Sequence, residues 1–213
     1  QTDRLIYVSQ IIYRDALGSG TASAENSCFI GNVIAGRGIG TKHSVCDEHK
    51  HLRTKTDIVR FCFAGRLHPQ KGLDVLIRAL ASLPEKIKWE AWIIGDGELR
   101  GDLETMCRQM GVDKCVQFWG WRDDVQHLMK HADVFVLPSR YEGMPIALLE
   151  AMGEGLACVV TPVGECSLMI EDGKNGFVVP VGDVQKLAQA LVILWDDIGL
   201  CQCMGERNRA KVS

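Results

Sequence analysis

Two glutamates eight positions apart, Glu142 and Glu150, form the most specific chemical signal in this sequence. Glu142 precedes a predicted helix that begins at Pro145, a residue favoured at the first helical position, and Glu150 falls in the second turn. Helical rise places Glu150 about 7.5 Å along the axis from Pro145, with the N–H groups of Gly143 and Met144 between the carboxylates. This spacing suits a ligand lying across the helix entrance. The alternative is an exposed pair of helix-end glutamates on an ordinary core helix.

Two cations follow the first strand of the predicted sheet. Lys71 stands at the entrance of the next helix, where a positive charge opposes the helix dipole at a cost of roughly 0.3–1 kcal/mol. A bound anion would reverse the sign of that interaction, because cations and helix N-termini together form phosphate sites. Arg66, at the strand end, could hold the other side of the same anion. The pair therefore predicts an anion site, and the alternative is a solvated Lys71 in a surface turn.

The elements that must position these side chains are predicted from apolar periodicity. Leu73, Leu76, Ile77 and Leu80 recur at the spacing of one helix face. Further helices are expected over 99–110, from 145 onward and over 183–195. Candidate strands lie at 58–64, 89–94, 115–118, 134–137, 158–160 and 177–179. Strands that alternate with helices indicate right-handed crossovers, so the predicted fold is a doubly wound, Rossmann-like α/β domain with a mainly parallel sheet.

Ligands of open parallel sheets bind beyond the carboxyl ends of the strands. The first predicted strand is followed by Gly65 and Arg66, and the second by Gly95 and Gly97 on either side of an aspartate. The fourth is followed by a segment at 138–143 that includes Ser139. Glycines after a strand are the default for a tight turn, so the Gly-x-Gly pair alone is weak evidence. Its value is that glycines, cations and a carboxylate share one edge of the sheet.

Composition excludes several classes of protein. The 213 residues are 46% apolar and carry a formal net charge of −3, which predicts a packed core and no broad nucleic-acid surface. No apolar run approaches the ~18 residues that cross a bilayer, and no secretory leader is visible. The nine cysteines are odd in number and scattered, which favours reduced thiols. We therefore expect a cytoplasmic protein with at most peripheral contact at the inner face of the membrane.

Residues 1–56 differ from the rest of the chain. Strand-like segments at 5–9 and 28–35 are separated by a polar stretch, and 36–56 has no period, which indicates a linker or hinge. Within that stretch, His43, Cys46, His49 and His51 imitate metal-ligand spacing, but a solvated linker is favoured because no strand or helix flanks them.

Five motifs, taken together, resemble glycosyltransferase family 4, the retaining group with the GT-B architecture. They are FAGRLHPQKGLDVLIRAL (63–80), IIGDGELRGDLE (93–104), FWGWRDDV (118–125), ADVFVLPSRYEGMPIALLEAMGEGLACVVTPVG (132–164) and IEDGKNGFVVPVGD (170–183). They cover nearly all of that family's C-terminal domain, in its order. The resemblance implies that 57–213 is the Rossmann-like nucleotide-sugar-binding domain and that 1–56 holds the last elements of the acceptor-side domain plus the hinge. The sequence departs from the family at Glu165 and Leu168, which leaves open any donor contact from that loop.

The resemblance also implies roles for individual residues. Arg66 and Lys71 would hold the donor diphosphate and Glu142 would contact hydroxyls of the transferred sugar, so these three are the expected catalytic residues. Glu150 would bind the ribose. Trp119, Trp121 and Arg122 would lie near the base, mostly through backbone contacts, with core burial expected for both tryptophans. The remaining expected donor-binding residues are Gly65, Gly95, Gly97, Ser139, Gly143, Met144 and Pro145.

The implied reaction moves a hexose from UDP or GDP to a hydroxyl of a saccharide or lipid-linked acceptor, with retention, in polysaccharide or glycolipid biosynthesis. Acceptor contacts would lie in an N-terminal domain that is largely missing from this chain. No Asp-x-Asp pair occurs in the sequence, so we expect transfer without a metal or other cofactor. A non-catalytic nucleotide-sugar-binding module and a nucleotide-sugar epimerase of the same architecture are the alternatives.

Overall fold

A computed structural model describes residues 5–7, 27–29 and 58–212. In the first part of the chain, β1 (Leu5–Tyr7) and β2 (Ser27–Phe29) pair in parallel, with Leu5 opposite Ser27. Both strands fall within or next to the segments predicted at 5–9 and 28–35. The predicted linker at 36–56 and its His/Cys cluster lie outside the described residues, so the domain boundary between 56 and 57 stays a prediction.

The predicted doubly wound sheet is confirmed. Its six parallel strands lie in the order β5-β4-β3-β6-β7-β8, and each predicted strand has its counterpart within two residues. The strands are β3 (Val59–Ala64), β4 (Trp89–Ile94), β5 (Val116–Gly120), β6 (Val134–Leu137), β7 (Ala157–Val160) and β8 (Gly176–Val178). All residues of β6 and β7 are buried, as parallel strands covered by helices on both faces require.

Among residues 58–212 there are also seven α-helices and one short 3-10 turn, Pro69–Lys71; the last two helices follow β8, and the other elements connect the strands. The helices are α1 (Leu73–Ala81), α2 (Arg100–Gln109), α3 (Val125–Met129), α4 (Ile146–Gly153), α5 (Cys166–Met169), α6 (Val184–Asp196) and α7 (Ile198–Val212). The sequence does not predict α3, α5 or α7. Two of these are too short to show a period, and α7 buries Gly205 and Asn208 where an apolar pattern would be expected.

Glycines allow the loops at the carboxyl ends of the strands to pack directly on one another. Gly72 adopts φ 65°, and a Cβ there would overlap the carbonyl oxygen of Pro138, which follows β6. Gly95 adopts φ 132°, and a Cβ there would overlap the carbonyl oxygen of Gly65. Since only glycine permits both the positive φ and the close approach, these positions join the loops after β3, β4 and β6.

Helix α7 is anchored by a buried asparagine. Asn208 is fully buried, and its Nδ2 donates to the carbonyl oxygens of Leu156 and Asn175, each at 2.7 Å. The amide of Asn175 donates back to Asn208 Oδ1 at 2.7 Å. Arg209, on the same helix, donates through Nη2 to the carbonyl oxygen of Glu154 at 2.7 Å. These bonds tie α7 to the end of α4 and to the segment before β8.

The seven cysteines between residues 58 and 212 are free thiols, and Cys62 and Cys158 are buried in the sheet. Burial raises the pKa of both thiols far above the ordinary value, so they act as small apolar side chains.

In the part of the chain that the structure describes, no single helix is long and apolar enough to cross a membrane. Helices α6 and α7, bent by 102° where they meet, reach that length and composition only as a pair.

We expect Asn208→Ala to lower the free energy of unfolding by about 3 kcal/mol, because it removes the acceptor of one Asn175 amide hydrogen and the amide donor to the carbonyl oxygens of Leu156 and Asn175, all of them buried. Urea unfolding followed by circular dichroism measures the change. The exposed Glu206 lies on the same helix, and Glu206→Ala should change stability by less than about 0.5 kcal/mol. Equal effects of the two substitutions would contradict the role given to Asn208.

Candidate functional site

A buried ion pair joins the loop after β3 to the loop after β6. Lys71 Nζ lies 2.6 Å from Glu142 Oε1, and the two side chains are only 18% and 6% exposed. Ser139, which is fully buried, donates its hydroxyl to the same carboxylate oxygen at 2.6 Å. The alternative of a solvated Lys71 is therefore wrong. In this conformation, the predicted site residue Ser139 orients Glu142.

Lys71 does not occupy the first turn of α1 itself. It is the last residue of the 3-10 turn, and Gly72 forms the N-cap of α1. Its side chain runs beside Gly65, since a Cβ at Gly65 would lie 3.6 Å from Lys71 Cε. This contact brings the ammonium group next to the loop that carries Arg66.

The loop after β7 packs against the backbone of Ser139, Glu142 and Gly143. Thr161 Oγ1 donates to the carbonyl oxygen of Ser139 at 2.6 Å, and the N–H of Glu165 donates to the carbonyl oxygen of Gly143 at 3.1 Å. Gly164 packs against the same backbone, where a Cβ would overlap the carbonyl oxygen of Glu142. The sequence does not single out Thr161, because its contact depends on two strands distant in sequence.

Glu165 and Leu168, the two residues at which the sequence departs from the family pattern, differ in their exposure to solvent. Glu165 is buried at the N-terminus of α5, whereas the side chain of Leu168 is 55% exposed.

A cavity of about 500 Å³ opens beyond the carboxyl ends of β3, β4 and β5. Six of the predicted donor-site residues line it: Gly65, Arg66, Gly95, Gly97, Trp121 and Arg122. Asp96 and Val125, which the sequence does not single out, line it as well. The position of Asp96 between two predicted glycines was the available signal. Because Gly65 contacts both the cavity and Lys71, the cavity adjoins the buried ion pair.

Charge in this cavity comes mainly from Arg66 and Asp96. The Arg66 side chain is 68% exposed and makes a 3.4 Å contact with Glu98. Hydrogen bonds from the N–H of Gly97 at 2.7 Å and from Arg100 at 3.1 Å lower the pKa of Asp96. Asp96 is therefore ionised at neutral pH, and Arg66 is the exposed cation with which an anionic ligand could pair.

The two predicted tryptophans have different surroundings. Trp119 packs edge-on against Trp92, with ring centroids 5.8 Å apart, and its indole nitrogen is buried without a partner among the described residues. Trp121 is 78% exposed, so the expectation of core burial is wrong for this residue. Directly before it, Gly120 ends β5 with a φ of 69°, so Trp121 does not continue the strand. Trp121 therefore presents its ring at the mouth of the cavity.

Arg122 is held in place by two contacts. Its Nε and Nη2 donate to the two carboxylate oxygens of Asp124 at 2.5 and 2.6 Å. Its guanidinium also stacks over the ring of Trp119, 5.4 Å from the centroid. The side chain thus closes one wall of the cavity, and its charge is paired with Asp124.

Glu142 precedes helix α4, and Glu150 lies within it. The helix begins at Ile146, one residue later than predicted, because Pro145 takes the extended N-cap conformation with ψ 94°. Glu150 is half-buried; desolvation raises its pKa, and a hydrogen bond with Gln126 partly offsets that effect. Gln126 directly follows Val125, which lines the cavity, so Glu150 lies on the α3 side of the site and Glu142 on the Lys71 side.

The structure thus places all four principal residues at one edge of the sheet. Lys71 and Glu142 are in contact, Arg66 lines the adjoining cavity, and Glu150 reaches the helix that closes it. Gly143, Met144 and Pro145 form the segment between the two glutamates. The ligands assigned to these residues stay predictions.

Metal-binding groups do not converge among the described residues, where no three His, Cys, Asp or Glu side chains form a cluster able to hold an ion.

Comparison with known proteins identifies the family. The model of the glycosyl transferases group 1 matches residues 59–197, which is more than half of the chain. This chain belongs to the group 1 glycosyltransferases. It is 36% identical over 154 residues to UDP-Gal:alpha-D-GlcNAc-diphosphoundecaprenol alpha-1,3-galactosyltransferase of Escherichia coli, a match over 70% of this chain and 40% of that protein. It is 33% identical over 169 residues to the lipopolysaccharide core biosynthesis glycosyltransferase LpsE of Rhizobium meliloti, over 79% and 49% respectively. The chain thus spans half or less of the length of these relatives.

Solved structures give the same family fold. HepE from Anabaena, in complex with UDP and glucose, superimposes with a TM-score of 0.81 at 25% identity over 99% of this chain and 58% of that protein. WaaG, a glycosyltransferase involved in lipopolysaccharide biosynthesis, gives a TM-score of 0.83 at 24% identity over all of this chain and 59% of that protein. The fold of this group 1 glycosyltransferase is therefore the GT-B one that the motifs predict.

We expect Lys71→Met to lower the free energy of unfolding by about 3 kcal/mol, because it leaves the buried charge of Glu142 without its cation. The double substitution with Glu142→Gln should be less destabilising than Lys71→Met alone, since it removes that charge. Urea unfolding of Lys71→Met, Glu142→Gln and the double variant tests the pair. The exposed Lys114 supplies a control, as Lys114→Met should change stability by less than about 0.5 kcal/mol. A double variant that is less stable by the sum of both single effects would show that the two charges are not coupled.

A second expectation concerns pH. Because the folded-state pKa of Glu150 is raised above its ordinary value of 4.5, the ionised carboxylate opposes folding at neutral pH. Glu150→Gln should therefore be more stable than wild type at pH 7. The gain should shrink as the pH falls through the raised pKa and vanish below 4.5, where Glu150 is protonated in both states. Urea unfolding between pH 4 and 7 follows the difference, and a gain independent of pH would contradict the assignment.

Proposed function

We propose that this chain is the nucleotide-sugar-binding part of a retaining glycosyltransferase of family 4. The whole protein would transfer a hexose from UDP or GDP to a hydroxyl of a saccharide or lipid-linked acceptor. The observation that carries the proposal is the buried Lys71–Glu142 pair next to a cavity of about 500 Å³ at the carboxyl ends of the strands. That edge is where open α/β sheets bind ligands.

The donor would extend from the cavity toward the ion pair. The base would occupy the cavity beside Trp121, the ribose would lie against Glu150, and the diphosphate would take the charges of Arg66 and Lys71. Lys71 and Ser139 both donate to Oε1 of Glu142. Oε2 is therefore the oxygen that could accept a hydrogen bond from a sugar hydroxyl. In the free protein, Glu142 already holds the ammonium group of Lys71 in a fixed position. The diphosphate would then pair with this ammonium group and take over part of its interaction with Glu142.

The site chemistry is electrostatic. Negative charge grows on the departing diphosphate, and fixed cations that are already oriented toward it lower the barrier without reorganising. Lys71 and Arg66 supply that charge. The absence of an Asp-x-Asp pair from the sequence supports transfer without a metal, and retention follows from the resemblance to family 4.

Two comparisons support a UDP-hexose as donor. The name of the Escherichia coli relative contains UDP-Gal, and HepE is described in complex with UDP and glucose. Both relatives quoted above act in glycan synthesis by name or description, so the acceptor would be a growing saccharide or a lipid-linked one. Since the chain spans half or less of their length, acceptor binding would require the other part of the whole protein. We place that protein in the cytoplasm or peripherally at the inner face of the membrane.

Calorimetric titration of UDP, GDP and ADP into this chain tests the proposal. We expect at least one nucleotide to bind at sub-millimolar concentration. Glu150→Ala should weaken the binding of that nucleotide about tenfold or more, because it removes hydrogen bonds to a charged acceptor. Glu154 lies at the end of the same helix, outside the site, and Glu154→Ala should leave the affinity unchanged. Absence of binding by all three nucleotides, or equal affinities of wild type and Glu150→Ala, would overturn the assignment.

A further inference from the structure

Arg140 stands between the two loops that carry the ion pair and has no role assigned so far. Its guanidinium donates through Nη2 to both carboxylate oxygens of Asp74, at 2.9 and 2.8 Å, and through Nη1 to the carbonyl oxygen of Pro69 at 2.6 Å. Asp74 lies in the first turn of α1, and Pro69 opens the 3-10 turn that ends in Lys71. One side chain from the loop after β6 thus holds both ends of the turn after β3.

The backbone around Arg140 strengthens the connection. Its N–H donates to the carbonyl oxygen of Gln70 at 2.7 Å, and the Gln70 side chain donates to the carbonyl oxygen of Tyr141 at 2.8 Å. Gly72 packs against Pro138 in the same contact. Lys71 lies within the segment that these bonds fix.

The charges favour a permanent link. The hydrogen bonds and positive charge of Arg140 lower the pKa of Asp74, although burial alone would raise it. Asp74 in turn raises the pKa of Arg140. Both groups are therefore ionised at neutral pH. One planar guanidinium reaches Asp74 through Nη2 and Pro69 through Nη1, a fixed geometry that the single nitrogen of a lysine does not reproduce.

We propose that Arg140 is a positioning residue for the nucleotide sugar. By locking the 3-10 turn to the segment 138–142, it sets the distance between Lys71 and Glu142, two residues that would contact different parts of the donor. The inference rests on the proposed function and adds a consequence of its own. Loosening the Arg140 contacts should weaken recognition of the sugar more than recognition of the nucleotide. The sugar would depend on Glu142, whereas the nucleotide would also be held by Arg66, Glu150 and the cavity, which lie outside the two segments that Arg140 links.

The test compares sugar nucleotides with the matching free nucleotides. UDP, UDP-glucose, GDP and GDP-mannose are titrated by calorimetry into wild type and Arg140→Lys, and the ratio of the two dissociation constants is taken for the base that wild type binds. We expect Arg140→Lys to reduce affinity for the sugar nucleotide about tenfold, while affinity for the free nucleotide changes less than about twofold. Asp74→Asn should shift the ratio in the same direction and by less, since the bond from Arg140 to Pro69 remains.

Arg78 supplies a matched control. It is exposed, follows Asp74 by one turn on α1 and acts on that carboxylate only through its charge. Arg78→Gln should leave the ratio unchanged.

The outcomes separate the two proposals. Equal losses of affinity for the free and the sugar nucleotide in Arg140→Lys, or no loss of either, overturn the positioning role and leave the proposed function intact. Wild-type protein that binds none of the four compounds overturns the proposed function and this inference with it.

Discussion

The site depends on one buried electrostatic interaction, the pair formed by Lys71 and Glu142. Removing two charges from water is costly, and their attraction offsets the cost only when the geometry is good and further hydrogen bonds satisfy the remaining groups. Here the carboxylate also accepts from Ser139, whose own backbone is held by Thr161. The pair thus needs the loops after β3, β6 and β7 to be in place together, and its position in turn fixes them.

Strand order explains why these loops meet. In the order β5-β4-β3-β6-β7-β8, the chain runs outward from β3 in one direction and from β6 in the other. Such a switch point leaves a crevice at the carboxyl ends of the two central strands, because their connections turn to opposite sides. Lys71 follows β3 and Glu142 follows β6, so the two charges come from the two sides of that crevice. The glycines at 72, 95 and 164 then let the flanking loops approach closely enough for the side chains to touch.

Local signals in the sequence predict most of the fold and part of the site. The strands and the main helices follow from apolar runs, and the positions of Arg66, Lys71 and the two glutamates follow from strand ends and helix entrances.

Sequence reasoning misses the contacts between residues that are distant along the chain. The clamp formed by Arg140 spans 66 residues to Asp74, and no local pattern distinguishes such an arginine from a solvated one. Trp121 is predicted as a site residue, but its exposure is missed, since an aromatic residue next to a strand suggests a core side chain until the positive φ of Gly120 is known. Helix α7 escapes detection because its buried face contains a glycine and an asparagine.

Some of these features stabilise the folded protein, and others lower its stability. Helix α7 is bonded through Asn208 and Arg209 to the residues just after α4, whereas the second turn of α4 carries Glu150, a half-buried carboxylate whose raised pKa marks an energetic cost. A carboxylate kept partly out of water gains most when a ligand hydroxyl replaces the lost solvent, and the same holds for an ammonium group whose present partner is another side chain. The same partial desolvation of Glu150 that lowers the stability of the free protein should therefore strengthen its hydrogen bonds to a bound ligand.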